Sequence, residues 1–102
     1  MDVFAVVAEP NRRAILGLLN ERERSVGDLA EALGLSQPTV SKHLMVLRSS
    51  RFVSVTADAQ RRVYCLRDEP LRQLDTWIEP FRATWANRLD RLASHLDEME
   101  DS

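Results

Sequence analysis

The sequence predicts a mostly α-helical domain with one small β-hairpin, its elements running α-α-α-α-β-β-α. Three observations carry this reading. Apolar residues recur at helical spacing through the first half of the chain, and between Phe52 and Leu66 the period drops to two. From Leu71 the helical spacing returns and holds for nearly thirty residues.

Residues 2–8 form a short, mostly apolar helix, and Pro10 fits the first turn of a second, where its missing N–H costs nothing. This second helix runs from Asn11 to about Asn20 with Ile15, Leu18 and Leu19 on its inner stripe. Ser25 and Asp28 have the spacing of an N-cap and its answering acid, so a third helix starts at Ser25 and buries Val26, Leu29, Ala30 and Leu33. Gly34 closes that helix in the left-handed conformation, and Ser36 caps a fourth with Pro38 in its first turn. Val40, Leu44 and Leu47 give the fourth helix one buried stripe, while Gln37, Thr39, Ser41, Lys42, Met45 and Arg48 face outward. In the hairpin, Phe52, Ser54 and Thr56 oppose Val53 and Val55, and Val63 and Cys65 oppose Arg62, Tyr64 and Leu66, with Asp58-Ala59-Gln60 at the tip. The last helix carries Leu71, Leu74, Trp77 or Ile78, Phe81, Trp85, Leu89, Leu92, Leu96 and Met99 along one side, and Pro80 is expected to kink or divide it.

A chain of 102 residues holds one hydrophobic core and no separate catalytic domain. With 44% hydrophobic and 29% charged residues it is neither a disordered chain nor a membrane span. The acidic opening Met1-Asp2-Val3 lacks a basic leader, so a cytoplasmic protein is expected, and the single cysteine, Cys65, excludes an internal disulfide framework. The net charge of -2 hides a strong asymmetry. Residues 36–67 set Lys42, Arg48, Arg51, Arg61, Arg62 and Arg67 against Asp58 alone, a balance of +5, whereas residues 68–102 stand at -5. A basic middle beside an acidic end is what a polyanion-binding face next to a solvent- or protein-facing tail would show. An enzyme is not expected: no nucleophile with a base in reach, phosphate loop or carboxylate pair stands at a useful spacing, and no cofactor is called for.

Two short helices joined by a glycine-containing turn, followed by a basic hairpin, make the winged helix-turn-helix pattern. Glu9-Pro10-Asn11-Arg12-Arg13-Ala14-Ile15-Leu16, Ser25-Val26-Gly27-Asp28-Leu29-Ala30, Leu35 to Leu47 and Arg61-Arg62-Val63-Tyr64 resemble the ArsR family of bacterial winged-helix repressors. The resemblance covers essentially the whole chain, and Ser36 to Leu47 is its most specific part. It implies one domain over 1–102, with the helix-turn-helix over about 25–49, the wing over about 52–67 and a dimerisation helix over about 70–100. It further implies a homodimer held by its first and last helices, bound to an inverted-repeat operator and released by an inducer. Metal-sensing members of the family carry a Cys-x-Cys where this chain has Ser25 and Gly27, which cannot hold a soft metal. The last helix offers one histidine, His95, beside Asp97 and Glu98, read as a solvated surface group, so no metal site is expected.

The expected DNA-binding residues are Ser36, Gln37, Pro38, Thr39, Ser41, Lys42, His43, Arg48, Arg61 and Arg62. An amide such as Gln37 pairs bidentately with adenine, and hydroxyls serve bases or phosphates. His43 flanks the buried stripe and either donates to a phosphate or ties down its own helix. Arg48 and Arg51 rank above Arg12 and Arg13 for phosphate, because no acid lies within a helical turn of either. The expected dimer interface is Val3, Phe4, Leu74, Trp77, Ile78, Phe81, Trp85, Leu89, Leu92 and Leu96. The aromatic row could instead line a pocket for an apolar inducer, and Cys65, read as a small buried apolar group, could serve thiol-oxidative release. A winged-helix adaptor docking an acidic protein is the alternative to a repressor on double-stranded DNA.

Overall fold

The computed structural model describes residues 1–100; of the domain expected over 1–102, the last two residues lie outside the described residues. Eight elements follow in order: α1 (Val3–Val7), α2 (Pro10–Glu21), β1 (Arg24–Ser25), α3 (Val26–Leu33), α4 (Gln37–Ser49), β2 (Val53–Asp58), β3 (Arg61–Leu66) and α5 (Glu69–Glu100). The predicted helices and hairpin are all present. β1 is an addition, since two residues are too short to show any period. It pairs Arg24 with Tyr64 and Ser25 with Val63, making a three-stranded antiparallel sheet in the order β1-β3-β2.

Helix ends follow from local chemistry. The Asp2 carboxylate accepts the Ala5 amide at 2.8 Å to start α1, and the Glu9 carboxylate accepts the Arg12 amide at 2.8 Å to start α2 behind Pro10. Arg12 and Arg13 then reach back: Arg12 Nε donates to the Val6 carbonyl at 2.8 Å and Arg13 Nη1 to that of Val7 at 2.7 Å, satisfying the open end of α1. Ser25 and Asp28 form a full capping box on α3. Gly34, at φ 66°, ends α3 with the Leu35 amide returned to the Ala30 carbonyl at 3.0 Å. α4 ends in the same motif, but the left-handed residue is Arg51, at φ 65°, with the Phe52 amide on the Leu47 carbonyl at 2.8 Å.

Val6, Ile15, Leu19, Leu29, Val40, Leu44, Leu47, Phe52, Val53 and Tyr64 form the core beneath the sheet and helices. The expected alternation of the hairpin needs correction at its base. Phe52 and Val53 are both buried, because Phe52 precedes β2 and belongs to the turn that closes α4. Val63 and Tyr64 are also both buried, since β3 is the central strand.

α5 runs unbroken through Pro80 for 32 residues, about 48 Å at the helical rise, and so does not divide there. Leu71 and Leu74 pack on the core, but from Glu79 to Glu100 every residue is exposed. The helix therefore stretches the molecule to 68 × 25 × 22 Å.

Candidate nucleic-acid interface

The tight turn Gly34-Leu35-Ser36 sets α4 across α3, and the burial of Val40, Leu44 and Leu47 decides which side of α4 looks out. Gln37, Pro38, Ser41, Lys42, Met45 and Arg48 are exposed on that side, and Thr39 is half-exposed. The Ser36 hydroxyl caps α4 through the Thr39 amide at 3.3 Å and lies 2.8 Å from the Thr39 hydroxyl, so these two side chains hold each other at the helix entrance. Beside α4 the hairpin rises with Arg61 and Arg62 at the start of β3. Ser41, Met45, Arg48 and Ser49 face Arg62 and Tyr64 across an open groove of about 520 Å³. The structure thus brings Ser41, Arg48 and Arg62 to one surface. Met45, Ser49 and Tyr64 line the same groove and were missed as site residues. Met45 is on the outward side of α4 by its spacing from Ser41, and Ser49 continues that side four residues on, a signal that could have found it.

Two of the expected contacts are engaged within the chain. Arg61 Nη2 donates to the Asp28 carboxylate at 2.9 Å and to the Ser25 hydroxyl at 3.0 Å, fastening the hairpin to the start of α3. His43 is mostly buried, its Nδ1 3.8 Å from the Glu9 carboxylate; of its two readings, holding the helix in place fits this setting, with Glu9 rather than a backbone group as partner. Partial desolvation pushes the Glu9 carboxyl up, but the Arg12 and Asn11 amides and the His43 ring outweigh it and hold the acid below its ordinary value. The Asp28 carboxyl is held low by the Ser25 amide and hydroxyl and by Arg61.

Cys65 departs from the expected buried apolar group. It is half-buried, and its thiol donates to the Glu23 carboxylate at 3.3 Å. Desolvation and the Glu23 carboxylate push the thiol pKa up, away from the thiolate that oxidation chemistry needs.

Arg61 aside, the cations of residues 1–67 divide into two groups; in α5, Arg82 pairs with Asp75 and Glu79, while the side chains of Arg72, Arg88 and Arg91 have no partner among the described residues. Arg12, Arg13 and Arg24 donate to carbonyls or a carboxylate of neighbouring elements, and Arg22 donates to the carbonyl of Glu23 beside it. Among the described residues, the side chains of Lys42, Arg48, Arg51, Arg62 and Arg67 have no hydrogen-bond or ion-pair partner. All five lie in the basic middle of the sequence.

The other expected surface is equally visible. Phe4 of α1 meets Trp77 of α5 edge-on at 5.2 Å, and Trp77 lies 4.9 Å from Phe81, yet all three rings remain about half-exposed. Trp85, Leu89, Leu92, Leu96 and Met99 continue the stripe, each more than half-exposed. Val3, Leu74 and Ile78 are partly buried at its root.

Residues 9–55 match the model of the family described as bacterial regulatory protein, arsR family. The HTH-type transcriptional regulator KmtR of Mycobacterium tuberculosis is 40% identical over 72% of this chain, which spans 57% of that protein. The transcriptional repressor SdpR of Bacillus subtilis is 32% identical over 78% of this chain and 89% of its own length. Among solved structures, the homodimeric winged helix-turn-helix DNA-binding domain Mb0332 of Mycobacterium bovis, a possible ArsR-family regulator, superposes with a TM-score of 0.65 at 28% identity, covering 79% of this chain and 75% of that one. By these matches in sequence and in structure, the chain belongs to the ArsR family of bacterial DNA-binding transcriptional regulators.

Proposed function

We propose that the chain is a homodimeric repressor that lays α4 and the β2-β3 hairpin of each copy on one half of an inverted-repeat operator. The observation that carries this reading is the division of the cations. Five basic side chains stand without a partner in the segment that contains α4 and the hairpin, where Asp58 is the one acid, while the four arginines before it are hydrogen-bonded within the chain and those of α5 stand among the nine acids of residues 68–102. An unpartnered cation on a surface with almost no acids is the electrostatic footprint of a phosphate-binding face. On this reading Gln37, Thr39 and Ser41 meet base edges, Lys42, Arg48 and Arg62 meet phosphates, and Ser36 and Pro38 fix the entry of α4. Arg61 and His43 serve the site by holding the hairpin and α4 in place.

Pairing of two copies is supported by the half-exposed stripe from Phe4 and Trp77 to Leu96, since a projecting helix with such a side does not persist alone in water. A two-fold dimer demands a two-fold operator, with half-sites centred about one helical turn, or a multiple of it, apart. The test is a gel shift of the protein's own upstream fragment against random duplex across a salt series. The fragment is expected to be retained when random duplex is not; equal retention of both at physiological salt ends the operator reading. A protein that shifts neither, yet is captured by an acidic partner, would instead be an adaptor.

A further inference from the structure

Arg48 lines a second, smaller cleft on its other side. This one, of about 280 Å³, lies between the C-terminal end of α4 and the free edge of β2, and is bounded by Arg48, Arg51, Val53, Ser54, Val55 and Arg67. Three arginines whose guanidinium groups have no internal partner line it, and no carboxylate does. The backbone adds donors. The Arg67 amide donates to the Phe52 carbonyl at 2.8 Å, so Phe52 and Arg67 are a hydrogen-bonded pair. In an antiparallel ladder such pairs alternate with open ones, which makes Ser54–Cys65 bonded and Val53–Leu66 and Val55–Tyr64 open. The Val53 and Val55 amides consequently point away from β3, out of the edge of the sheet where the cleft lies.

We propose that this cleft is an oxyanion site for a phosphate group, formed by Arg48, Arg51 and Arg67 with the edge amides of Val53 and Val55. Guanidinium forks and outward amides are the donor set that tetrahedral oxyanions fit, and an edge left open costs nothing when an anion covers it. The phosphate comes from one of two sources: a phosphodiester of DNA, which extends the proposed operator contact beyond α4 and the hairpin, or a free phosphate species. The first rests on the DNA-binding reading above; the second does not.

The test uses the full chain and a double variant, Arg51→Asn with Arg67→Gln. Asn tolerates the left-handed backbone at position 51, so the turn after α4 is kept. Inorganic phosphate is titrated into each protein without DNA while backbone amide resonances are followed. In parallel, affinity for duplex DNA is measured across a salt series. Loss of one phosphodiester contact flattens the slope of log affinity against log salt by about 0.9 per protomer. A flatter slope in the variant assigns the site to DNA. Saturable shifts of the Val53 and Val55 amides in the wild type alone, with an unchanged slope, assign it to free phosphate. Neither response overturns the proposal, and leaves the three arginines merely offsetting the C-terminal dipole of α4. Because random duplex suffices for the slope, a protein with no operator preference would sink the repressor reading without touching this measurement.

Discussion

Lys42 and Gln37 stand two ranks apart on the outward side of α4 and differ in what they offer DNA: a point charge and a planar amide. Lys42→Ala is expected to weaken binding to every duplex alike, with a shallower salt slope. Gln37→Ala should relax one base position by about 1 to 3 kcal/mol, as read by competition among operator variants. Arg51 carries a different cost. A side chain at φ 65° is strained, and Arg51→Gly is expected to stabilise the fold by about 0.5 to 1 kcal/mol, seen as a higher urea midpoint with an unchanged denaturant slope. A lower midpoint would show that the Arg51 side chain contributes more than its backbone costs. Asp28 sets a pH dependence whose sign is fixed. Its carboxyl titrates below the ordinary 3.8 in the folded chain, so its stabilising effect is complete above that value and vanishes as pH falls through the folded one. Asp28→Asn is expected to flatten the acid side of the urea midpoint against pH, and an identical acid limb would show that the capping box and the Arg61 bond contribute no stability.

At the scale of elements, α5 is the one that violates a local rule. Pro80 cannot donate to the ladder and its ring crowds the preceding turn, yet the helix continues on both sides, with the Thr84 hydroxyl on the Pro80 carbonyl at 3.0 Å. Pro80→Ala restores the amide and is expected to raise stability by up to about 3 kcal/mol, measured by urea unfolding at fixed protein concentration. A loss instead would mean that the packing of α5 depends on the proline. The sequence made the long helix, the two capped helices of the helix-turn-helix and the hairpin legible, because each rests on spacing or capping within a few residues. It concealed what depends on distant partners. β1 exists only because Arg24 and Ser25 find Tyr64 and Val63, and Phe52 is drawn out of alternation by the carbonyl of Leu47. The partners of Arg61, His43 and Cys65 lie 33 or more residues away in sequence, at Asp28, Glu9 and Glu23, and no periodicity reports a contact of that kind. Hence the face of α4 could be read from the chain, while the anchoring of the hairpin could not.

For the molecule as a whole, the buried core residues all lie in the body from α1 to β3, with Leu71 and Leu74 of α5 packed against them, whereas every residue of α5 beyond Phe81 is exposed within one chain. These two facts separate folding from assembly. Charges placed on the far part of the stripe should therefore break pairing without unfolding the body. The variant Trp85→Glu with Leu92→Glu is expected to sediment at the 11.7 kDa of a single chain while its hairpin and core resonances stay dispersed. Its DNA binding should change in a specific way. A dimer making about 8 phosphate contacts shows a salt slope near -7, and a lone protomer making half of them falls to about -3.5, with affinity for two half-sites no greater than for one. A variant that remains a dimer places the pairing surface nearer Phe4 and Trp77. One that is monomeric yet keeps the full slope would mean that a single protomer spans every phosphate contact, and the two-fold match between protein and operator would be lost.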